Sequence, residues 1–245
     1  MKSAVVVGIV GAGAISRDHI EGYRKAGATV AAICDPLAAA REARAKEYGI
    51  PRAVADAAEL LRTPGLTAVS VCSPNAFHAE HTIRALEAGL NVLVEKPMAM
   101  TVAEAEAMVA ATKRAGKLLM CGHNQRFSPL CRKVRELGDA GALGKVYHAR
   151  CAWIRRRGIP GLGKWFTTQS LSGGGVLIDI GIHAIDRAWF MMGQPRPVSV
   201  SAATYNAFGR DIKAYVCTSM WAGPRDPKGV MDVEDAQRLA WMFKA

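Results

Sequence analysis

The sequence predicts an α/β chain in two parts. A doubly wound parallel sheet is expected over residues 1–122, and an α+β domain with a mostly antiparallel open sheet over residues 123–245. Two observations predict it. In the first half, short runs rich in Val, Ile and Leu alternate with amphipathic stretches, as strands buried on both faces of a parallel sheet do when helices connect them. Near residue 123 the alternation stops and longer, less regular segments follow.

The strand candidates of the first half are residues 4–10, 29–34, 68–72, 91–94 and 118–121, with helix candidates at 15–26, 37–48, 57–62, 79–88 and 102–115. The punctuation agrees. Thr101 and Glu104 have capping-box spacing, and Gly27, Gly49, Gly89 and Gly116 stand where helices end. In the second half, residues 129–137 read as a helix, 145–153 as a longer strand and 198–205 as another strand. Gly173-Gly174-Gly175 opens a helical stretch over 176–192, and residues 236–245 read as a short amphipathic tail.

The formal net charge of the 245-residue chain is +11, with Arg155, Arg156 and Arg157 in a run and Arg126, Arg132, Lys133 and Arg135 near one another. No coherent basic stripe or nucleic-acid motif accompanies them, so no nucleic-acid partner is expected; the excess reads as a solvated face that also attracts an anionic cofactor. Cys34, Cys72, Cys121, Cys131, Cys151 and Cys217 form no CxxC pair. Reduced thiols in a cytoplasmic protein are the simplest reading, and neither a metal site nor a disulfide framework is expected. Lys2 and the apolar run 4–15 imitate a signal peptide, but the run is shorter than the roughly 20 residues a span needs. It is read as a buried strand and turn, with no membrane partner.

Four constellations carry chemistry. Gly11-Ala12-Gly13-Ala14-Ile15-Ser16 sits where the first strand turns into a helix. Gly11 allows the tight turn, and Gly13 lets the backbone approach a pyrophosphate that the N–H groups around Ala14 and Ile15 can hold. The third position is Ser16 instead of Gly. Asp35, 24 residues after Gly11, ends the second strand. Its carboxylate suits ribose hydroxyls and repels a 2′-phosphate, which favours NAD over NADP; it can also be read as a turn residue before Pro36. Ser73, Pro74, Asn75 and His78 follow the third strand candidate, where a cofactor would cross the sheet, though Ser73 also fits a plain turn and His78 a surface position. Glu95-Lys96-Pro97 closes the strand at 91–94. Lys96 beside a carboxylate has a tunable proton affinity, and an ordinary Glu95–Lys96 salt bridge is the other reading. Finally, Asp179, His183 and Asp186 stand at i, i+4 and i+7, sharing a face if the segment is one helix. A proton-transfer pair, with His183 as base and Asp179 orienting it or contacting substrate, fits better than a metal site. A hydrogen-bonded core histidine is the alternative.

Taken in order, the turn of residues 11–16, the loop of residues 73–78, Glu95-Lys96-Pro97 and Gly173-Gly174-Gly175…Asp179-x-Gly181-x-His183-x-x-Asp186 resemble the Gfo/Idh/MocA oxidoreductases. That family includes glucose–fructose oxidoreductase and inositol dehydrogenases. The resemblance runs from about residue 4 to about residue 236 and implies a Rossmann domain followed by the sheet domain. It implies that Lys96, Asp179 and His183 carry catalysis, and that the bond before Pro97 is often cis. Asn124 and Arg126 match the family's passage into the second domain, and Trp165 is expected to line the substrate cleft with Arg126, Asp179 and His183. Gly11, Gly13, Ala14, Ile15, Asp35, Ser73, Pro74, Asn75, His78, Glu95, Lys96 and Asn124 are the expected cofactor contacts.

The implied activity is hydride transfer between NAD and a secondary alcohol of a sugar or cyclitol. An NAD-dependent glycosidase and a non-catalytic dinucleotide-binding protein are the alternatives. The family continues past Val233-Glu234-Asp235 with further strands, whereas ten residues follow Asp235 here. The last strands of the second domain are therefore expected to be missing, and a homo-oligomer contact is expected on that sheet.

Overall fold

The computed structural model describes residues 5–155, 158–209, 211–215 and 222–243. Lys2, Ala4, Arg156, Arg157, Cys217 and the last two residues of the expected tail lie outside them. The chain forms two compact units, Met1–Gly122 and His123–Ala245.

The first unit is built on β1 (Val6–Val10), α1 (Ser16–Lys25), β2 (Thr29–Cys34), α2 (Ala38–Tyr48), β3 (Arg52–Val54), α3 (Ala57–Leu61), β4 (Ala68–Val71), α4 (His78–Glu87), β5 (Asn91–Val94), α5 (Val102–Ala115) and β6 (Leu119–Cys121). The six strands are parallel, in the order β3-β2-β1-β4-β5-β6. Each apolar run predicted a strand to within two residues. β3 was not predicted, because three residues beside a proline carry no readable period. Thr101 caps α5, and the capping box with Glu104 is closed in both directions.

Each face of the sheet carries its own core. One holds Val69, Leu86, Val94 and Met108; the other holds Ile9, Ile20 and Ile33. Ile9, Ile20 and Ile33 are completely buried, each contributing about 1.5–3 kcal/mol relative to exposure. The strand order reverses between β1 and β4, and in such sheets ligands bind beyond the strand C-termini at that point.

The second unit contains α6 (Pro129–Asp139), α7 (Gln169–Ser172), α8 (Ile182–Met191), β7 (Pro197–Tyr205) and β8 (Ala236–Phe243). Three expectations need correction. Residues 145–153 form no strand: among the described residues no partner strand pairs with them, and most of the segment is exposed. Residues 176–192 are not one α-helix, since Leu177–Gly181 is a π-helical turn that precedes α8. The expected tail is β8, antiparallel to β7 from Tyr205↔Ala236 to Pro197↔Phe243. Its alternation of Leu239, Trp241 and Phe243 with more polar or smaller residues is a strand period that a partner realises. Among the described residues no helix is long and apolar enough to cross a membrane.

Candidate functional site

In the first unit, β1 leaves the sheet through Gly11 at φ 100°, its N–H donating to the Cys34 carbonyl at 2.8 Å. A Cβ here would stand 2.6 Å from the Cys72 carbonyl oxygen, so the turn passes where only glycine fits. Gly13 is the opposite case: a Cβ there would meet nothing within 4 Å. That open side, ahead of the first intrahelical bonds of α1, presents the N–H groups of Gly13, Ala14 and Ile15 at a helix N-terminus, an arrangement that favours an anion. Ser16 fills the third position while fully buried. Its hydroxyl donates to the Gly13 carbonyl at 2.7 Å and accepts from Arg44 Nε at 3.2 Å.

Asp35 is more than a turn residue. Its Oδ2 accepts from the Ala12 N–H and its Oδ1 from the Leu37 N–H, both at 2.9 Å, so the carboxylate is tied to the glycine turn. Arg41 donates to the Asp35 and Pro36 carbonyls at 3.2 and 3.3 Å.

The loop after β4 is organised by two histidines. Ser73 Oγ lies 3.1 Å from His81 Nδ1. His78, the first residue of α4, is buried, contrary to a surface reading. Its Nδ1 lies 2.7 Å from the Pro97 carbonyl oxygen and its Nε2 2.9 Å from that of Ser73. Carbonyls only accept, so satisfying both needs the imidazolium. Burial works against that charge and holds the proton affinity down, with the two carbonyls and Glu95 opposing. His78 therefore spends its ring on the backbone, tying the 73–75 loop to the 95–97 turn.

Glu95 and Lys96 follow β5, and the Lys96–Pro97 bond is cis. Glu95 Oε1 lies 2.8 Å from His19 Nε2, and its Oε2 accepts the Lys96 N–H at 3.2 Å. Burial raises the Glu95 pKa, but the hydrogen bond and charge of His19, then Lys96, outweigh it and hold the carboxyl below its usual range.

In the second unit, Gly175 turns the chain into the π-helical segment. A Cβ there would collide with the Glu234 carbonyl. The Glu234 carboxylate accepts the Gly175 and Leu177 N–H groups, both at 2.9 Å, capping the segment that carries Asp179. Asp179 lies in the π-helical turn and His183 in α8, so the two are not successive positions of one regular α-helix, and such turns recur at functional sites. His183 is buried with the Trp153 ring 6.4 Å from its own. Asp186 is also buried, paired with Arg126, whose Nε donates to Oδ2 at 2.8 Å and whose terminal nitrogen donates to Oδ1. Arg126 lies over Trp189 and Phe190, and Trp165 stacks on Phe166. Asn124 opens a 3₁₀ turn, Asn124–Phe127, ahead of α6.

Sequence reasoning missed His19, Tyr23, Arg44 and Ser70. A signal existed for Ser70: a lone hydroxyl inside an apolar run buried on both faces needs a partner. The others become visible only when α1 and α2 are laid on the sheet.

Residues 5–123 match the family model described as an oxidoreductase family with an NAD-binding Rossmann fold, and residues 131–239 match the GFO/IDH/MocA C-terminal domain. The chain is 39% identical over 216 residues to the D-glucoside 3-dehydrogenase of Escherichia coli K12, covering 85% of this chain and 61% of that protein. An oxidoreductase domain protein from Kribbella flavida superposes with TM-score 0.83 at 31% identity, covering 99% of this chain and 64% of that one. A levoglucosan dehydrogenase in complex with NADH and L-sorbose superposes with TM-score 0.80 at 26% identity, covering 98% and 64%. The chain spans about three fifths of the length of the curated relatives it matches. Both halves of the chain, matched in order by the two models, place it in the Gfo/Idh/MocA family of oxidoreductases.

Proposed function

We propose that the chain is an NAD-dependent oxidoreductase that transfers a hydride between the nicotinamide and a secondary alcohol of a sugar or cyclitol. The observation that carries this reading is the glycine turn at the strand-order reversal, open at Gly13 and tied to the Asp35 carboxylate. A dinucleotide fits it: the open backbone suits a pyrophosphate, and the fixed carboxylate suits ribose hydroxyls. Gly11, Gly13, Ala14, Ile15 and Asp35 would hold the adenosine and pyrophosphate end, with Ser73, Pro74, Asn75, Glu95, Lys96 and Asn124 toward the nicotinamide. His78 acts by shaping that loop. Asp35 favours NAD, while Arg41 beside it is the feature that would serve a 2′-phosphate.

Bound NAD would supply the hydride acceptor. His183 takes the hydroxyl proton as general base, and Asp179 orients it or holds a neighbouring hydroxyl. Lys96 donates a hydrogen bond to the reacting oxygen and stabilises the charge that develops there. Arg126 and Trp165 complete the substrate side of the proposal, although Arg126 already pairs with Asp186. The substrate class follows the relatives' names, which include a D-glucoside 3-dehydrogenase and a myo-inositol 2-dehydrogenase. β7 is exposed along its length, which supports a homo-oligomer contact on that sheet.

A panel of sugars and cyclitols followed by NADH absorbance tests the reading. NADH accumulation with at least one of them supports it. Sugar release without net NADH points to a glycosidase, and NAD binding without turnover points to a non-catalytic binder.

A further inference from the structure

Three polar side chains lie inside the first unit's apolar sheet layers, and the proposed reaction uses none of them. Ser70 stands in the middle of β4 and is fully buried. His19 and Tyr23 stand one helical turn apart on α1 and both reach it: His19 Nδ1 lies 2.9 Å, and Tyr23 Oη 2.8 Å, from Ser70 Oγ. The other ring nitrogen of His19 lies 2.8 Å from Glu95 Oε1, with both side chains largely buried. Cys72, just past β4, is a further neighbour of the ring. One imidazole therefore bridges the helix that opens at the glycine turn, the buried hydroxyl of β4 and the carboxylate that follows β5.

Glu95 is held from every side. Oε1 takes the imidazole, Oε2 takes the Lys96 N–H, and the Glu95 N–H itself donates to the Val71 carbonyl at 2.9 Å. Gly122 closes the remaining side, since a Cβ there would stand 3.0 Å from Oε1. A carboxylate so fixed pins the backbone from which the Lys96 side chain departs. Burying an imidazole, a carboxylate and two hydroxyls is costly unless each is paired. Here each has a partner, and together they connect the turn that would hold the pyrophosphate to the residue that would touch the reacting oxygen.

We propose that His19 is a positioning residue for Lys96, acting through Glu95 and anchored by Ser70 and Tyr23. The inference rests on the assignment of Lys96 to the reacting oxygen, but the link itself is a property of the first unit alone.

Two amide substitutions separate the halves of the imidazole. The His19→Gln amide nitrogen reaches the place of Nε2 and keeps the bond to Glu95. The His19→Asn amide reaches the place of Nδ1, keeps Ser70 and loses Glu95. Amide exchange in the isotopically labelled full chain, read by NMR, is independent of any activity. Exchange at the Lys96 N–H should accelerate about tenfold or more in His19→Asn and stay within about threefold of wild type in His19→Gln. In calorimetric titrations, NAD affinity should stay within about threefold for both. In turnover, kcat should fall in His19→Asn and be largely retained in His19→Gln, with KM for NAD unmoved. If His19→Asn does not fold, Glu95→Gln should produce the same acceleration at Lys96. Unchanged Lys96 exchange in a folded His19→Asn or Glu95→Gln chain would overturn the proposal, as would equal effects of His19→Asn and His19→Gln. Absence of turnover in the wild type would remove the dehydrogenase reading, while the exchange data would still decide the link.

Discussion

Gly11 and Gly13 stand two residues apart in one turn, and a methyl group added to each should do opposite things. At Gly11 a Cβ would lie 2.6 and 2.7 Å from the Cys72 carbonyl oxygen and carbon and 2.9 Å from the Ser73 nitrogen. All three are backbone atoms, and the Cys72 N–H is committed to the Val10 carbonyl at 2.7 Å. The loop cannot retreat without loosening the pairing of β1 with β4. The φ of 100° adds its own penalty for an L residue. Overpacking of about 1–3 kcal/mol and a left-handed conformation at about 1–2 kcal/mol together put Gly11→Ala about 2–5 kcal/mol below wild type. At Gly13 a Cβ meets nothing. Gly13→Ala should keep its stability to within about 0.5 kcal/mol, yet lose about tenfold or more in NAD affinity, because the methyl would stand where the proposed function has the pyrophosphate approach. The assay needs care: all five tryptophans lie beyond residue 122, so their fluorescence reports the second unit. Hydrogen exchange of β1 and β4 reads the first unit directly, alongside calorimetric titration with NAD. A Gly11→Ala chain with wild-type protection of β1, or a Gly13→Ala chain that binds NAD like wild type, would refute the reasoning.

Three further outcomes follow. Asp35→Ala should narrow the gap between NAD and NADP affinities, measured by calorimetry; tighter NADP binding by the wild type would give the specificity to Arg41 instead. Lys96→Ala and His183→Ala should each lower kcat by about 10²–10⁴-fold with NAD affinity nearly intact, and near-normal turnover in either would remove that residue from the mechanism. Stability should also depend on His19. Burial opposes its charge, but Cys72 and Glu95 outweigh burial and raise its pKa from 6.5 to about 10. A raised folded-state value contributes stability that is complete below 6.5 and is lost as pH rises toward 10. The stability gap between wild type and His19→Gln, from urea unfolding, should therefore shrink across that window with a slope of up to about 1.4 kcal/mol per pH unit. A gap constant from pH 6.5 to 10 would show that His19 is not charged in the folded chain.

The first unit was legible because its signals are local and redundant. A strand buried on both faces writes its whole length in Val, Ile and Leu, and the helix between two such strands declares its ends through Thr101, Glu104 and Gly116. The glycine turn was legible through its local spacing and its place after β1, although the backbone that demands Gly11 is that of Cys72 and Ser73, far along the chain. What the sequence concealed depends on partners distant in the chain. Ser70 is an anomaly in an apolar run until α1 supplies His19 and Tyr23. His78 looks like a surface residue until the carbonyls of Ser73 and Pro97 close on it. The second unit was harder. The 145–153 run has strand composition but no strand beside it among the described residues, whereas 236–243 has a modest alternation that β7 makes decisive. The π turn at Leu177–Gly181 is set by Gly175 against Glu234, 59 residues away, which no local period encodes.

Hydride transfer itself is the central claim, and isotope transfer tests it most directly. A sugar or cyclitol carrying deuterium on the oxidised carbon, incubated with NAD and the full chain, should give NADH carrying that deuterium on the nicotinamide ring, and Lys96→Ala or His183→Ala should slow the transfer by about 10²–10⁴-fold. Unlabelled NADH, or sugar consumed with no label reaching the cofactor, would contradict the account.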